Sequence, residues 1–297
     1  MSLVQPGRRG SRQQRAVHRL LPRPFQVVVI VVLLAMVLGP VSYILFASVS
    51  SDLSVAAGRF LPTRVDFGNY ARIWDTVDLR AGLTNSIVVA GSVAVVSALV
   101  AVATAYVLVR YDFLGRVAVL RALLALQSIP GTLLLLPVFV LFASAATLLG
   151  FQVIGTRWAL FLTYLTFALP FSTWVMVTYL RSLPRELDEA ARIDGANAVQ
   201  TLLRIVVPLS WPGLVVSGIF AFLLGWNDVL FASVMTNSDS RTAAVALQVF
   251  GAAQEGGAIP VYGQLMAAAL VCAAPVVVLY LVFQRFLIGG LTAGGVK

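Results

Sequence analysis

Residues 183–212 read LPRELDEAARIDGANAVQTLLRIVVPLSWP. This polar, helix-forming stretch lies between two long apolar runs, and that placement decides the fold. Taken as a helix over about 183–198, it carries start and stop signals that agree. Pro184 suits a first turn, where a missing N–H costs little. Glu186, Asp188 and Glu189 lie near the N-terminus, where the helix dipole favours negative charge. Gly195 suits the end, because glycine accepts the left-handed conformation. A second helical run over 199–207 then leads to Pro208 and back into apolar sequence.

The flanking sequence shows what kind of chain holds this segment. Hydrophobic residues fill 60% of the 297 positions and charged residues only 11%, where a soluble domain carries about 25% charged residues. Mean hydropathy is +0.93. Six apolar runs are long enough to cross a bilayer, which takes roughly 20 residues: 26–49, 83–109, 118–147, 158–180, 212–235 and 264–288. The expected fold is therefore all-α, a polytopic membrane protein with six transmembrane helices. The first apolar stretch, Phe25 to Val49, far exceeds the ~7–15 residues of a signal-peptide core, so a retained span is expected.

The net charge of +9 invites a nucleic-acid reading, but its distribution argues against one. Six of the 21 basic residues sit in one N-terminal tail, Arg8, Arg9, Arg12, Arg15, Arg19 and Arg23. A basic tail before an apolar span is a cytoplasmic anchor. With the N-terminus inside, the inside segments hold 15 Lys and Arg and the outside segments 6. Both termini are expected in the cytoplasm, and 181–211 falls on the same side. Cys272 and His18 are each the single residue of their type, so no internal disulfide forms and neither has a catalytic partner nearby in sequence.

The 183–198 helix has distinct faces. Leu187, Ala190, Ala191 and Ile193 are apolar, and Ala190, Ala191, Gly195 and Ala196 are small. Small residues permit close backbone approach, so this face suits a groove on another protein, with Glu186, Glu189 and Asp194 meeting basic groups at its rim. The competing reading is a helix lying on the bilayer. Such helices are usually rich in Lys and Arg with large apolar residues, whereas this one is acidic and alanine-lined.

Here the chain resembles a known family. EAARIDGA (Glu189 to Ala196), Ile205 and PLSWPG (Pro208 to Gly213) resemble the EAA loop of permease subunits of binding-protein-dependent ABC importers. Asn85-Ser86, AYVLVR (Ala105 to Arg110), WNDVLFA (Trp226 to Ala232) and the end GLTAGGVK (Gly290 to Lys297) resemble the carbohydrate branch, maltose-type. The likeness covers nearly the whole chain from about residue 26. It implies a type I ABC importer permease architecture, organised as an Arg-rich cytoplasmic tail (1–25), a six-helix permease domain (26–288) and a cytoplasmic C-terminal tail (289–297). It implies a coupling helix between helices 4 and 5, and residence in a bacterial cytoplasmic membrane.

The resemblance further implies partners: a second permease subunit, two ATP-binding cassette subunits, an extracytoplasmic solute-binding protein, a sugar substrate and membrane lipid, with no nucleic acid. The ATPase-coupling residues it implies are Glu189, Ala190, Ala191, Asp194, Gly195, Ala196 and Pro208. Of these, Glu189 would pair with a basic group of the ATPase, Ala190, Ala191 and Gly195 would give the close fit, and Asp194 would stabilise the turn. The tail from Leu291 would reach toward the ATPase pair, and the outside loop 236–263 would meet the binding protein.

A phosphate-binding loop requires a Gly-rich run ending in Lys followed by Ser or Thr. The one lysine is Lys297, the last residue, so ATP and Mg are expected on the partner ATPase, with no cofactor, catalytic residue or metal site on this chain. Asp228 is the one acid within an expected span, and an intramembrane carboxylate is costly and often functional. With Trp226 and Asn227 it forms a possible translocation-path set. The structural alternative places it near the outer face, about 16 residues or roughly 24 Å beyond Pro212. Pro130, Gly131, Pro137, Pro170 and Pro275 interrupt spans, as ordinary kinks or as path-lining breaks. The alternative function is a stand-alone secondary transporter or channel. That class needs ionisable groups for ion coupling, and gradient-driven flux by the lone chain distinguishes it.

Overall fold

The computed structural model describes residues 22–255 and 261–292, with the side chains of 149, 254, 255 and 287–292 excepted. Most of the Arg-rich tail, part of the 236–263 loop and most of the C-terminal tail lie outside the described residues.

Every regular element among the described residues is helical. In chain order they are α1 (Arg23–Ser48), α2 (Asp52–Ala56), α3 (Gly68–Thr76), α4 (Leu79–Arg110), α5 (Arg116–Gln127), a 3-10 turn (Gly131–Leu134), α6 (Leu135–Leu149), α7 (Arg157–Arg181) and α8 (Glu186–Ile193). Then follow α9 (Ala198–Leu209), α10 (Trp211–Asn227), α11 (Leu230–Met235), α12 (Ala243–Glu255) and α13 (Tyr262–Thr292). Five stretches are long and apolar enough to span a bilayer: α1, α4, Gly131–Leu148, α7 and Tyr262–Phe286. The pair α9 and α10, bent by 78°, supplies a sixth.

The interior is a three-helix core of α4, α7 and α10. Small residues permit it, as packing between membrane helices requires. A Cβ on Gly225 of α10 would meet the Tyr164 ring of α7 at 3.0 Å and Ala90 of α4 at 3.5 Å. Helix α13 packs on α10 and carries α1 on its other flank. No part of the most apolar window of α1 is buried, so its side chains face outward. The loop 50–82 folds as a cap containing α2 and α3. Asn69 donates to the carbonyls of Ser48 and Ser50 at 2.9 and 3.0 Å, and Gly263 N–H donates to Asp52 at 2.9 Å.

Three expected elements come out differently. The run 118–147 is two pieces, because Pro130 has no N–H to continue the ladder. Helix α5 stops at Gln127, and the crossing starts again at Gly131. The run 212–235 breaks after Asn227, where Asp228 turns extended (φ −73°, ψ 132°). The stretch 236–263, expected as a loop, contains a helix, α12, that packs on α4 and α13.

Candidate functional site

Two places combine polar groups with open surface: the connection around α8 and a cleft at the Asn227 end of α10.

Helix α8 spans Glu186–Ile193, shorter than the expected 183–198. Pro184 lies before it rather than in its first turn. Glu186, Asp188 and Glu189 occupy the first turn and Arg192 the last, as the dipole favours. Gly195, at φ +79°, ends it. Ala196 N–H donates to Ala191 C=O at 2.9 Å and Gly195 N–H to Arg192 C=O at 3.0 Å, the paired bonds of a Schellman stop. Asn197 and Gln200 then form a reciprocal capping box that starts α9. The whole reversal is specified locally, by glycine and a cap.

The faces of α8 divide differently from expectation. Asp188 and Ala191 are buried against the chain's own bundle. Glu189, Ala190, Asp194 and Gly195 are exposed, Ala196 partly so. Ala191 therefore gives its close fit to this chain, not to a partner. Asp194's side chain makes no hydrogen bond among the described residues, so the turn rests on the backbone bonds above. Ile193 stands 87% exposed, a large apolar side chain beside Ala190 and Gly195 with nothing over it. Pro208 is exposed near the end of α9. A π-helical turn over Leu202–Val206 precedes it, where the proline ring would otherwise strike the carbonyl four residues back.

What pins α8 is a contact that sequence reasoning missed. Arg110, the last residue of α4, brings Nε to 2.8 Å from Asp188 Oδ2, with side chains only 6% and 10% exposed. The same guanidinium reaches the carbonyls of Leu183 and Pro184 at 3.3–3.4 Å. Among the described residues neither Asp188 oxygen receives a well-aligned hydrogen bond; the Arg110 charge holds the acid, with the Tyr106 hydroxyl also within its reach. Around it, Val109, Leu180, Val206 and Leu214 share one apolar cluster with Leu183 and Leu202 packed against it. The helix is thus tied on one side to α4 through Arg110, beside that apolar cluster, and bare on the other.

The second place is a cleft of about 700 Å³ among the break before α6, α7 and α10. Gly131 and Pro170 line it, with Tyr164, Phe167, Phe171, Phe220 and Phe231 supplying aromatic walls. Asp228 is its acid. Tyr164 Oη donates to Asp228 Oδ2 at 2.7 Å, and the Ala232 N–H donates to the same oxygen at 3.0 Å. Asp228 thus caps α11 and ties it to α7. Trp226 and Asn227 do not share this cleft. They line a separate one with Leu247, Cys272 and Val276, and Trp226 stacks on Phe222 at 5.2 Å. The expected trio is split by the break at Asp228. A lone acid in an apolar run needs a partner, and that rule pointed toward a residue like Tyr164 on another span.

A membrane bundle with a projecting helix and an aromatic cleft holding one acid suits a transport component. Residues 94–292 match the family model for the inner membrane component of binding-protein-dependent transport systems, and the chain belongs to that family. It is 32% identical to the trehalose/maltose transport system permease protein of Thermococcus litoralis, over 88% of this chain and 91% of that one. It is 32% identical to the trehalose transport system permease protein of Mycobacterium tuberculosis, over 87% and 92%. It is also 32% identical to the sulfoquinovosyl glycerol transport system permease protein of Agrobacterium fabrum, over 93% and 94%. Its fold matches a chain of a bacterial ABC transporter that imports the acidic polysaccharide alginate. The TM-score is 0.73 at 22% identity, covering 95% of this chain and 99% of that chain.

Proposed function

We propose that this chain is one of two permease subunits of a sugar importer and receives its work through α8 from a separate ATPase that binds ATP and Mg. The observation that carries this reading is the two-sided character of α8. Its inner face is locked to α4 by Arg110 and Asp188, and its outer face leaves Glu189, Ala190, Ile193 and Gly195 bare. Force applied to the bare face passes to the spans because the other face does not yield. An extracytoplasmic binding protein delivers the solute from the opposite side, and both termini lie in the cytoplasm, which the basic tail favours. ATP binding draws the two motors together, the docked helices follow, and the cavity between the permeases turns from one side to the other. The cleft at Asp228 is the part of the path this chain contributes. The names of the similar transporters, for trehalose, maltose and sulfoquinovosyl glycerol, support a carbohydrate cargo.

Gly195→Asp tests the docking. A Cβ at Gly195 meets nothing within 4 Å, so the chain itself has room, and aspartate tolerates the left-handed conformation at a cost of roughly 1–2 kcal/mol. The variant should insert and assemble normally, while ATP hydrolysis by the complex proceeds without uptake. Wild-type uptake by this variant refutes the docking role.

A further inference from the structure

We infer that the Asp228 cleft is a charge filter in the translocation path, admitting neutral, hydroxyl-rich solutes and turning away anionic ones. The inference rests on the permease reading above and narrows its cargo.

Three features of the cleft carry it. First, Asp228 is only partly satisfied. Both donors, Tyr164 Oη and the Ala232 N–H, go to Oδ2, and Oδ1 has no partner among the described residues. A carboxylate oxygen left open at a cleft is an acceptor waiting for a hydroxyl or ammonium donor, and hydrogen bonds to an ionised oxygen are the strong ones. Second, among the described residues no Arg, Lys or His lines the cleft, so none of them compensates a second negative charge. Two like charges brought close in an environment drier than water repel far more strongly than in bulk. Third, the walls are aromatic. Tyr164, Phe167, Phe171, Phe220 and Phe231 offer ring faces and edges to the C–H surface of a sugar. A few fixed polar groups in an apolar pocket is the usual composition of a small-molecule site. The same walls offer a uronate, phosphate or sulfonate no cationic donor in exchange for its hydration.

The outcome is not shared by all similar transporters, since alginate is an acidic polysaccharide and sulfoquinovosyl glycerol carries a sulfonate. It is a property of this chain's residues. Other acids are absent from the lining, and Gln127 and Thr166 are the remaining polar side chains there; the Thr166 hydroxyl already donates to Leu162 C=O at 2.8 Å.

The test uses the assembled transporter in proteoliposomes, with Cys272→Ser to remove the native thiol and Thr166→Cys as a reporter on the cleft wall. Its rates of modification by a cationic and an anionic methanethiosulfonate are measured, each normalised to the rate with a small free thiol. The expected result is a preference of at least about tenfold for the cationic reagent, falling to near unity in Asp228→Asn. A ratio unchanged by Asp228→Asn overturns the filter. So does failure of both reagents to react in every nucleotide state, because the cleft would then be dry. In a second arm, ATP-driven uptake of labelled maltose, trehalose and digalacturonate is compared using the complete transporter with its binding protein. Import of digalacturonate overturns the exclusion of anions. If none of the three is carried while the reagent ratio behaves as expected, the filter stands and the carbohydrate reading fails, so the two failures are distinguishable.

Discussion

Removing Arg110 should free α8 without unfolding the bundle. In Arg110→Met the Asp188 carboxylate stays buried without its cation, with the Tyr106 hydroxyl as its remaining polar neighbour. Breaking a buried pair from one side costs about 3–5 kcal/mol. The long bonds to the Leu183 and Pro184 carbonyls vanish as well, adding about 0.5–1.5 kcal/mol each at most. The cheapest response is local: the segment around α8 swings out and hydrates the acid. At about 1.4 kcal/mol per tenfold, 3 kcal/mol raises the open fraction by about a hundredfold. Ala191 reports it, because it lies 3% exposed on the buried face of the helix. In a Cys272→Ser background, Ala191→Cys should react with an impermeant maleimide about a hundred times faster when Arg110→Met is added. Asp188→Asn should do less, because Arg110 keeps both carbonyls. Arg110→Met with Asp188→Leu should return labelling to within about tenfold of the parent, since replacing both charges by apolar groups removes the orphan. If the double variant labels as fast as Arg110→Met, the clamp is not electrostatic and the reasoning fails.

Gly225→Leu should destabilise the three-helix core by about 1–3 kcal/mol or more, because even a Cβ there meets the Tyr164 ring at 3.0 Å; a lower midpoint of thermal aggregation in detergent checks this, and an unchanged midpoint contradicts the close α7–α10 approach. In the outer cap, Arg72 donates to Asp66 at 2.8 Å and the Gly68 N–H also donates to it, and these hold the Asp66 carboxyl below its usual 3.8. A depressed carboxylate stabilises above its unfolded value and ceases to as pH falls through the folded one. Protease resistance of the 50–82 cap should therefore decline only below about pH 4, by a small amount because the pair is exposed, and Arg72→Gln should move the onset upward.

The long spans were legible because length and apolarity suffice to define them. Residues 83–109 and 158–180 were expected, and Leu79–Arg110 and Arg157–Arg181 are found, the extra turns being polar ends that hydropathy alone discounts. The stop at Gly195 was legible because its cause is local: one residue must adopt positive φ. The breaks at 128–130 and at Asp228 were not, because hydropathy does not change across them. Pro130 was visible, yet a proline in an apolar run reads equally as a kink within one helix or as the end of one. At Asp228 the deciding fact is a tertiary one. A carboxylate inside a continuous helix would face hydrocarbon, whereas stepping out of the helix lets it cap α11 and meet Tyr164.

The inward turn of Asp188 and Ala191 has the same origin. On the sequence, the first-turn acids Glu186, Asp188 and Glu189 all satisfy the dipole equally, and nothing local separates them. Which one is buried depends on where α4 ends, and it ends in Arg110. A charge on one helix therefore selects the face that another helix hides, and by hiding it leaves Glu189, Ala190, Ile193 and Gly195 outward. The small residues of the motif thus serve two different surfaces. Ala191 lets α8 lie close to its own bundle, while in the proposed docking Ala190 and Gly195 keep the opposite side low enough for a partner's groove. A pattern of alanines and glycine in one chain states that close approaches occur; only the three-dimensional position of Arg110 assigns each approach to its side.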